Sequence, residues 1–198
     1  MRAARQHDWF GPAPDVGARP HSANPLFQLR SETVSLSRVD QVLPELTGLL
    51  QELVKSNTTL GFPAALKERE AKAYWLSLRP ELRAGSRLLV AAWWEDRLVG
   101  TGQLDFPWWP TARHRVELQK LFVSPELRRQ GIGRFLVQSL HLAALRRQRT
   151  LVMLHTRHGG SAVRFYENLG YRRVGVIPGF ARGAAGERYD HLWLYREL

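Results

Sequence analysis

The chain contains no cysteine, which excludes disulfide bridges, a cysteine nucleophile and thiolate metal ligation. Lysine is nearly as scarce: Lys55, Lys67, Lys72 and Lys120 are the four present, so arginine supplies 25 of the 29 basic residues. No apolar run approaches the ~20 residues of a membrane span. The start, MRAARQHDWFGPAPDVGARP, is basic but has no apolar stretch behind it, so a secretory signal is not expected. The formal charge is +11, yet no basic run reaches five residues. No helix-turn-helix, zinc-finger or aromatic RNA-binding pattern occurs either, so nucleic acid is not an expected partner. The expectation is a cytoplasmic protein without a membrane partner.

What is present suits one α/β domain: 198 residues, 44% of them hydrophobic and 24% charged. Residues 1–30 carry four prolines and little periodicity and read as a flexible leader, followed by a domain over 31–198. "ETVSL" suggests a strand. "SRVDQVLPELTGLLQELVKSN" puts Leu43, Leu46, Leu50 and Val54 at helical spacing, with Ser37 or Asp40 as cap. "FPAALKEREAKAYWLSLRP" predicts a second helix through Leu66, Arg69, Ala73 and Leu76, with Pro63 in its first turn and Pro80 beyond its end. "RLLVAAWWEDRLVGTGQLDF" reads as two strands turning at Glu95-Asp96, with one of Trp93 and Trp94 in the core, and "VELQKLFV" as a third strand. The helix in "GRFLVQSLHLAALRRQ" shows Leu136, Leu140 and Ala143 or Ala144 on one face. "TLVMLHT" is apolar throughout, as for a strand buried on both faces. A short helix in "SAVRFYENLG" stops at Gly170, and two strands close the chain around a Gly-rich loop, 179–186. The order is β-α-α-β-β-β-α-β-α-β-β, a mixed central sheet flanked by helices.

The chemistry concentrates in "LFVSPELRRQGIGRFLVQSL", residues 121–140. A strand runs into an arginine-glycine loop and then a helix start, where backbone N–H groups lack intrahelical partners and the dipole is positive. Glycines at 131 and 133 permit close approach of a bulky anion, and Arg128, Arg129 and Arg134 add charge around it. The arrangement describes a phosphate or pyrophosphate cradle. It is neither a P-loop nor a complete GxGxxG.

Arg128-Arg129-Gln130-Gly131-Ile132-Gly133 matches the (Gln/Arg)-x-x-Gly-x-(Gly/Ala) signature, so the chain resembles the GNAT superfamily of N-acetyltransferases. "VELQKLFVSP" and "AVRFYENLGYRRVG" resemble that superfamily's neighbouring motifs, in order, and the second half is most similar to the tabtoxin-resistance type. The resemblance implies acetyl-CoA as donor. Backbone N–H groups from Gln130 through Ile132 to Arg134 would hold its pyrophosphate, and Leu121, Phe122 and Val123 would pair with its pantetheine arm. A backbone N–H in that segment would polarise the thioester carbonyl. The acceptor would be a primary amine of an amino-acid-like or antibiotic-like molecule, attacked directly. A protein amine, or a non-catalytic CoA sensor, is the alternative, and a homodimer is compatible with the superfamily.

An ammonium of pKa ~10.4 must lose a proton before it attacks. The resemblance assigns that step to Glu117, whose other reading is a strand-face charge paired with Arg115. Tyr166 is the implied acid near the leaving sulfur, or else a core aromatic. Where similar proteins often read Leu-Asp-Thr, this chain has Leu154-His155-Thr156, and His155 is either a base or structural. Gly159 stands where many members carry asparagine. His155 and His158 lack a third ligand, so no metal is expected. Trp108 and Trp109, in a Pro-flanked loop, either roof the acceptor pocket or form a plug or dimer contact. The 179–186 loop, with Asp190 and His191 just after it, is expected to form another wall of that pocket.

Overall fold

The computed structural model describes residues 28–56, 62, 66–183 and 186–198. Most of the expected leader, Pro63, and part of the 179–186 loop lie outside the described residues. The elements run β1 (Leu29–Thr33), α1 (Leu36–Gln41), α2 (Leu43–Lys55), α3 (Glu68–Ser77), α4 (Arg79–Ala84), β2 (Arg87–Trp94), β3 (Arg97–Asp105), β4 (Arg115–Val123), α5 (Ile132–Arg146), β5 (Leu151–Arg157), α6 (Ser161–Glu167), β6 (Arg172–Arg182) and β7 (Arg188–Glu197). The seven strands form one mixed sheet, the fold class expected.

Several boundaries differ from the sequence reading. Leu29 and Arg30, counted with the leader, belong to β1. The first predicted helix is two, parted at Val42 with Pro44 in the first turn of α2, and the side chain of Ser35 rather than Ser37 or Asp40 caps α1. Pro80 lies beyond the end of α3, as expected, and also stands in the first turn of a further short helix, α4. On α3 the buried side chains are Ala71 and Trp75 rather than the Leu66–Arg69–Ala73–Leu76 stripe. Trp75 has no exposed surface, and its indole N–H donates to the Leu46 carbonyl at 2.8 Å. One residue thus supplies both the burial and the polar anchor joining α3 to α2, and truncating it to alanine would cost ~3–5 kcal/mol.

The sheet order is β1-β2-β3-β4-β5-β7-β6. Every neighbouring pair is antiparallel except β4 and β5, which are parallel and joined by the α5 crossover. Leu136, Leu140 and Ala144 of α5 pack on one face with Val116, Leu118, Val152 and Leu154. Two glycines on β3 let the helix come close. A Cβ at Gly100 would stand 2.8 Å from Leu136 Cδ1, and one at Gly102 would stand 2.5 Å from Leu140 Cδ1. The opposite face of β2–β4 is covered by α1–α4 through Leu46, Leu50, Trp75, Trp93 and Phe122.

That second layer does not extend over β5 and β7. Val152 and Leu154 are buried, whereas Met153 and His155 on the other side of β5 are only partly so. The expectation of a strand buried on both faces therefore fails, and a cleft opens over Met153, His155, His191 and Trp193.

Candidate active site

The sheet forks where β4 and β5 meet. Their ladder consists of three pairs, Arg115–Leu151, Val116–Val152 and Glu117–Met153. Past them β4 stays with β3, while β5 pairs with β7 along its whole length, from Leu151–Glu197 to Arg157–His191. The cause is local: β4 carries an extra residue between its Gln119 and Phe122 pairings with β3, and Lys120 there has φ +48°. Such a bulge bends a strand away from its neighbour. The backbone of Leu121–Val123 thus has no β5 partner. Phe122 is buried beneath α2 and α3, so only its backbone can face the fork.

At the end of β4, Ser124 ties the turn to α2 by donating to Glu52 Oε1 at 2.7 Å. Arg129 (φ +61°) and Gly131 (φ +88°) are left-handed, and Gly131 is the N-cap of α5 with no side-chain cap. Arg128, Arg129, Gln130 and Arg134 are exposed around it, and Ile132 is buried as the anchor of the first turn. A Cβ at Gly133 would meet the Phe165 ring at 3.2 Å. An uncapped helix start, a backbone passing close to α6 and an unpaired strand edge beside it fit an extended thioester arm ending in a pyrophosphate.

Glu117 and His155 come together at the crotch of the fork, Oε1 to Nε2 3.6 Å, with side chains 28% and 27% exposed. Burial raises the Glu117 carboxyl above its usual range, opposed by a hydrogen bond from Gln119. Arg115 is directed elsewhere, with Nη1 3.7 Å from Met153 sulfur and its guanidinium 5.6 Å from the centre of the Trp109 ring. Burial, His191 and Lys120 lower the His155 pKa to about 4, so its ring is neutral near pH 7. Its Nδ1 lies 2.8 Å from Nδ1 of His191. Phe180, His191 and Trp193 surround the His155 ring at centroid distances of 4.7, 5.0 and 4.9 Å.

The remaining expected site residues are not gathered at this point. Tyr166 is buried on the α5 side of the sheet against Phe165 and Tyr171, and burial drives its hydroxyl far above the ordinary tyrosine range. Asp190 shares the parity of Leu192 and faces away from the cleft; its carboxylate accepts from the Gly179 N–H at 2.8 Å. His191, expected in the same wall, is the one of the two that meets His155. Trp109 reaches the cleft margin through Arg115, and Trp108, 81% exposed, stacks edge-on against Trp109. The His155–His191 pair depends on the β5–β7 register, which residue spacing alone does not reveal.

Residues 49–171 match the model of the Acetyltransferase (GNAT) family. Solved structures share the fold. A ribosomal-protein-alanine N-acetyltransferase from Brucella melitensis is 23% identical, with a TM-score of 0.69 over 85% of this chain and 99% of that one. The ribosomal-protein-S18-alanine N-acetyltransferase from Escherichia coli is 18% identical, with a TM-score of 0.63 over 85% and 93%. A Salmonella typhimurium structure described as an acetyltransferase with its cofactor acetyl-CoA is 14% identical, with a TM-score of 0.66 over 86% and 94%. The matched segment holds the fork, the uncapped start of α5 and the Glu117–His155 pair together, and with it the chain belongs to the GNAT family of acetyl-CoA-dependent N-acetyltransferases.

Proposed function

We propose that the protein acetylates the primary amine of a small amino-acid-like or antibiotic-like molecule by direct attack. The observation that supports this most is the Glu117–His155 pair, 3.6 Å apart where β4 and β5 separate. Acetyl-CoA, when bound, supplies the activated acetyl group. Glu117 accepts the proton that the ammonium must lose. Its raised pKa brings it nearer the working pH, where a base is most effective. Lys120 and Arg115 on the same strand disfavour a third cation nearby and so lower the acceptor's own pKa. They also suit an acceptor that carries a carboxylate beside its amine.

Leu121–Val123 would hold the thioester arm by backbone hydrogen bonds, and Gln130–Arg134 would hold the pyrophosphate. Tyr166 suits hydrogen-bond donation to a leaving sulfur better than proton transfer. A phenol raised by burial gives up its proton less readily than a thiol of pKa ~8.5. Phe180 and Trp193 would wall the acceptor, with Trp108 and Trp109 at its margin.

A second reading, a protein amine, is suggested by two structures of this fold described as ribosomal-protein-alanine N-acetyltransferases. The formal charge of +11 and the cations at the cleft oppose a basic protein segment. Thiol release from acetyl-CoA, followed with amino acids, aminated antibiotics and an alanine-initiated peptide, tests the choice. Small amines should give the larger kcat/KM; turnover confined to the peptide would overturn the proposal.

A further inference from the structure

We propose that Arg87 is a positioning residue for the reaction: by fixing the Gln119 amide and holding Asp105, it keeps Glu117 able to take the acceptor's proton. The proposal rests on the amine-transfer reading above. Strand register brings the groups together. Arg87, Asp105, Glu117 and Met153 form one row across β2, β3, β4 and β5. Two residues along, Gln103 of β3 stands opposite Gln119 of β4. Side chains alternate along a strand, so Glu117 and Gln119 share one face.

The Arg87 side chain is 11% exposed. Its Nε donates to Glu81 of α4, and its Nη2 donates to Asp105 Oδ2 at 3.1 Å. Nη1 is shared between Gln103 Oε1 at 3.1 Å and Gln119 Oε1 at 3.2 Å. A guanidinium has donors and no acceptor, so both amides must turn their oxygens toward it. Gln103 directs its NH2 at the Tyr74 hydroxyl, 2.9 Å away. Gln119 directs its own at Glu117, to which it donates. Without Arg87 the Gln119 amide would be free to turn over. Its oxygen would then face Glu117, where only the protonated carboxyl has a hydrogen to offer. Arg87 thus decides which form of Glu117 the amide favours.

The charges around Glu117 act in the same sense. Asp105 lies opposite it in the register, and a neighbouring carboxylate favours the protonated form of the base. Arg87 offsets that charge through its ion pair with Asp105, and Arg115 on β4 adds to the effect. Glu81 of α4 is the other carboxylate paired with Arg87. His155 of β5, 3.6 Å from Glu117 and with a pKa of about 4, is neutral from mildly acidic pH upward. Tyr74 of α3 is pushed up by burial and keeps its proton. Lys120 of β4 bears on His155 and is itself lowered by burial and by Arg87.

The test follows kcat/KM against pH for wild type, Gln119→Met, Arg87→Met, Asp105→Asn and the Arg87→Met, Gln119→Met double variant. Phenethylamine and an alanine-initiated peptide serve as probe acceptors, whose own ionisation is common to all the proteins. Gln119→Met should move the acidic limb up by about one pH unit, a loss of about tenfold below the limb that shrinks above it. Arg87→Met should move it further the same way, and Asp105→Asn should move it down. In the double variant the upward shifts should fall short of their sum, because Arg87 acts partly through Gln119. The same order should appear without turnover in the infrared titration of the Glu117 carboxyl, whose band is identified by its loss in Glu117→Gln. A folding lesion would lower kcat/KM at every pH and leave the limb in place. If Arg87→Met does not fold, the opposite shifts of Gln119→Met and Asp105→Asn still decide. A limb and a band that stay put in Gln119→Met, or additive shifts in the double variant, overturn the proposal. Failure of wild type on both acceptors, with the band shifting as expected, overturns the amine-transfer reading instead.

Discussion

Glu117 and His155 lie on adjacent parallel strands, yet neither strand pairs with the other beyond Glu117 itself. The carboxylate and the imidazole meet across the point where the sheet divides, 3.6 Å apart. At the crotch of the fork a carboxyl of raised pKa therefore faces a neutral ring.

Glu117→Gln should reduce kcat by about 100-fold or more and remove the acidic limb of the kcat/KM profile against pH. Stability should move the other way. A carboxyl whose folded pKa is raised binds more protons in the native state, so stability falls as pH rises from its unfolded to its folded pKa. At pH 7 the amide variant avoids that loss, and its Tm should equal or exceed that of wild type by calorimetry.

Acid should weaken the fold through its buried histidines. His141 Nε2 lies 2.8 Å from the Tyr171 hydroxyl, and burial lowers its pKa to about 4. The unfolded chain, with histidine near 6.5, binds more protons between these values, so this stability is present above pH 6.5 and lost as pH falls toward 4. His155 acts in the same sense. The Tm at pH 4.5 should sit below that at pH 7.5 by on the order of 5 °C. His141→Gln, which keeps a partner for Tyr171, should flatten the slope.

Donor binding should fail in Gly131→Glu. The N-cap of α5 has φ +88°, so any side chain there is strained by ~1–2 kcal/mol, but a carboxylate also repels the pyrophosphate. Gly131→Asn, which tolerates the left-handed region, serves as control. Calorimetric titration with acetyl-CoA should show heat for wild type and Asn and none for Glu, with all three folded. Equal binding by all three would mean that the α5 start is not the cradle.

Local patterns were readable where one element decides them. The α5 stripe and the turn at Glu95-Asp96 follow from spacing and turn chemistry. Leu43, Leu46, Leu50 and Val54 are all buried, as spaced. Spacing alone does not reveal the α3 face, because Trp75, which dominates it, bonds to a carbonyl 29 positions away. The one-sided burial of β5 depends on a helical layer that ends at β4, and the Lys120 bulge has no sequence signal of its own. Asp190 and His191 are adjacent in sequence, and only strand parity decides which of the two looks into the cleft.

Three residue pairs fasten one half of the sheet to the other, and a donor held along the open edge, as proposed above, would brace them. By mass action, donor at about 100 times its Kd adds ~2.7 kcal/mol to the native state. The lifetime of the protein in a cell should then track the supply of acetyl-CoA: plentiful donor shields the seam from proteases, and scarcity exposes it. An enzyme built this way is degraded fastest when it has least to transfer.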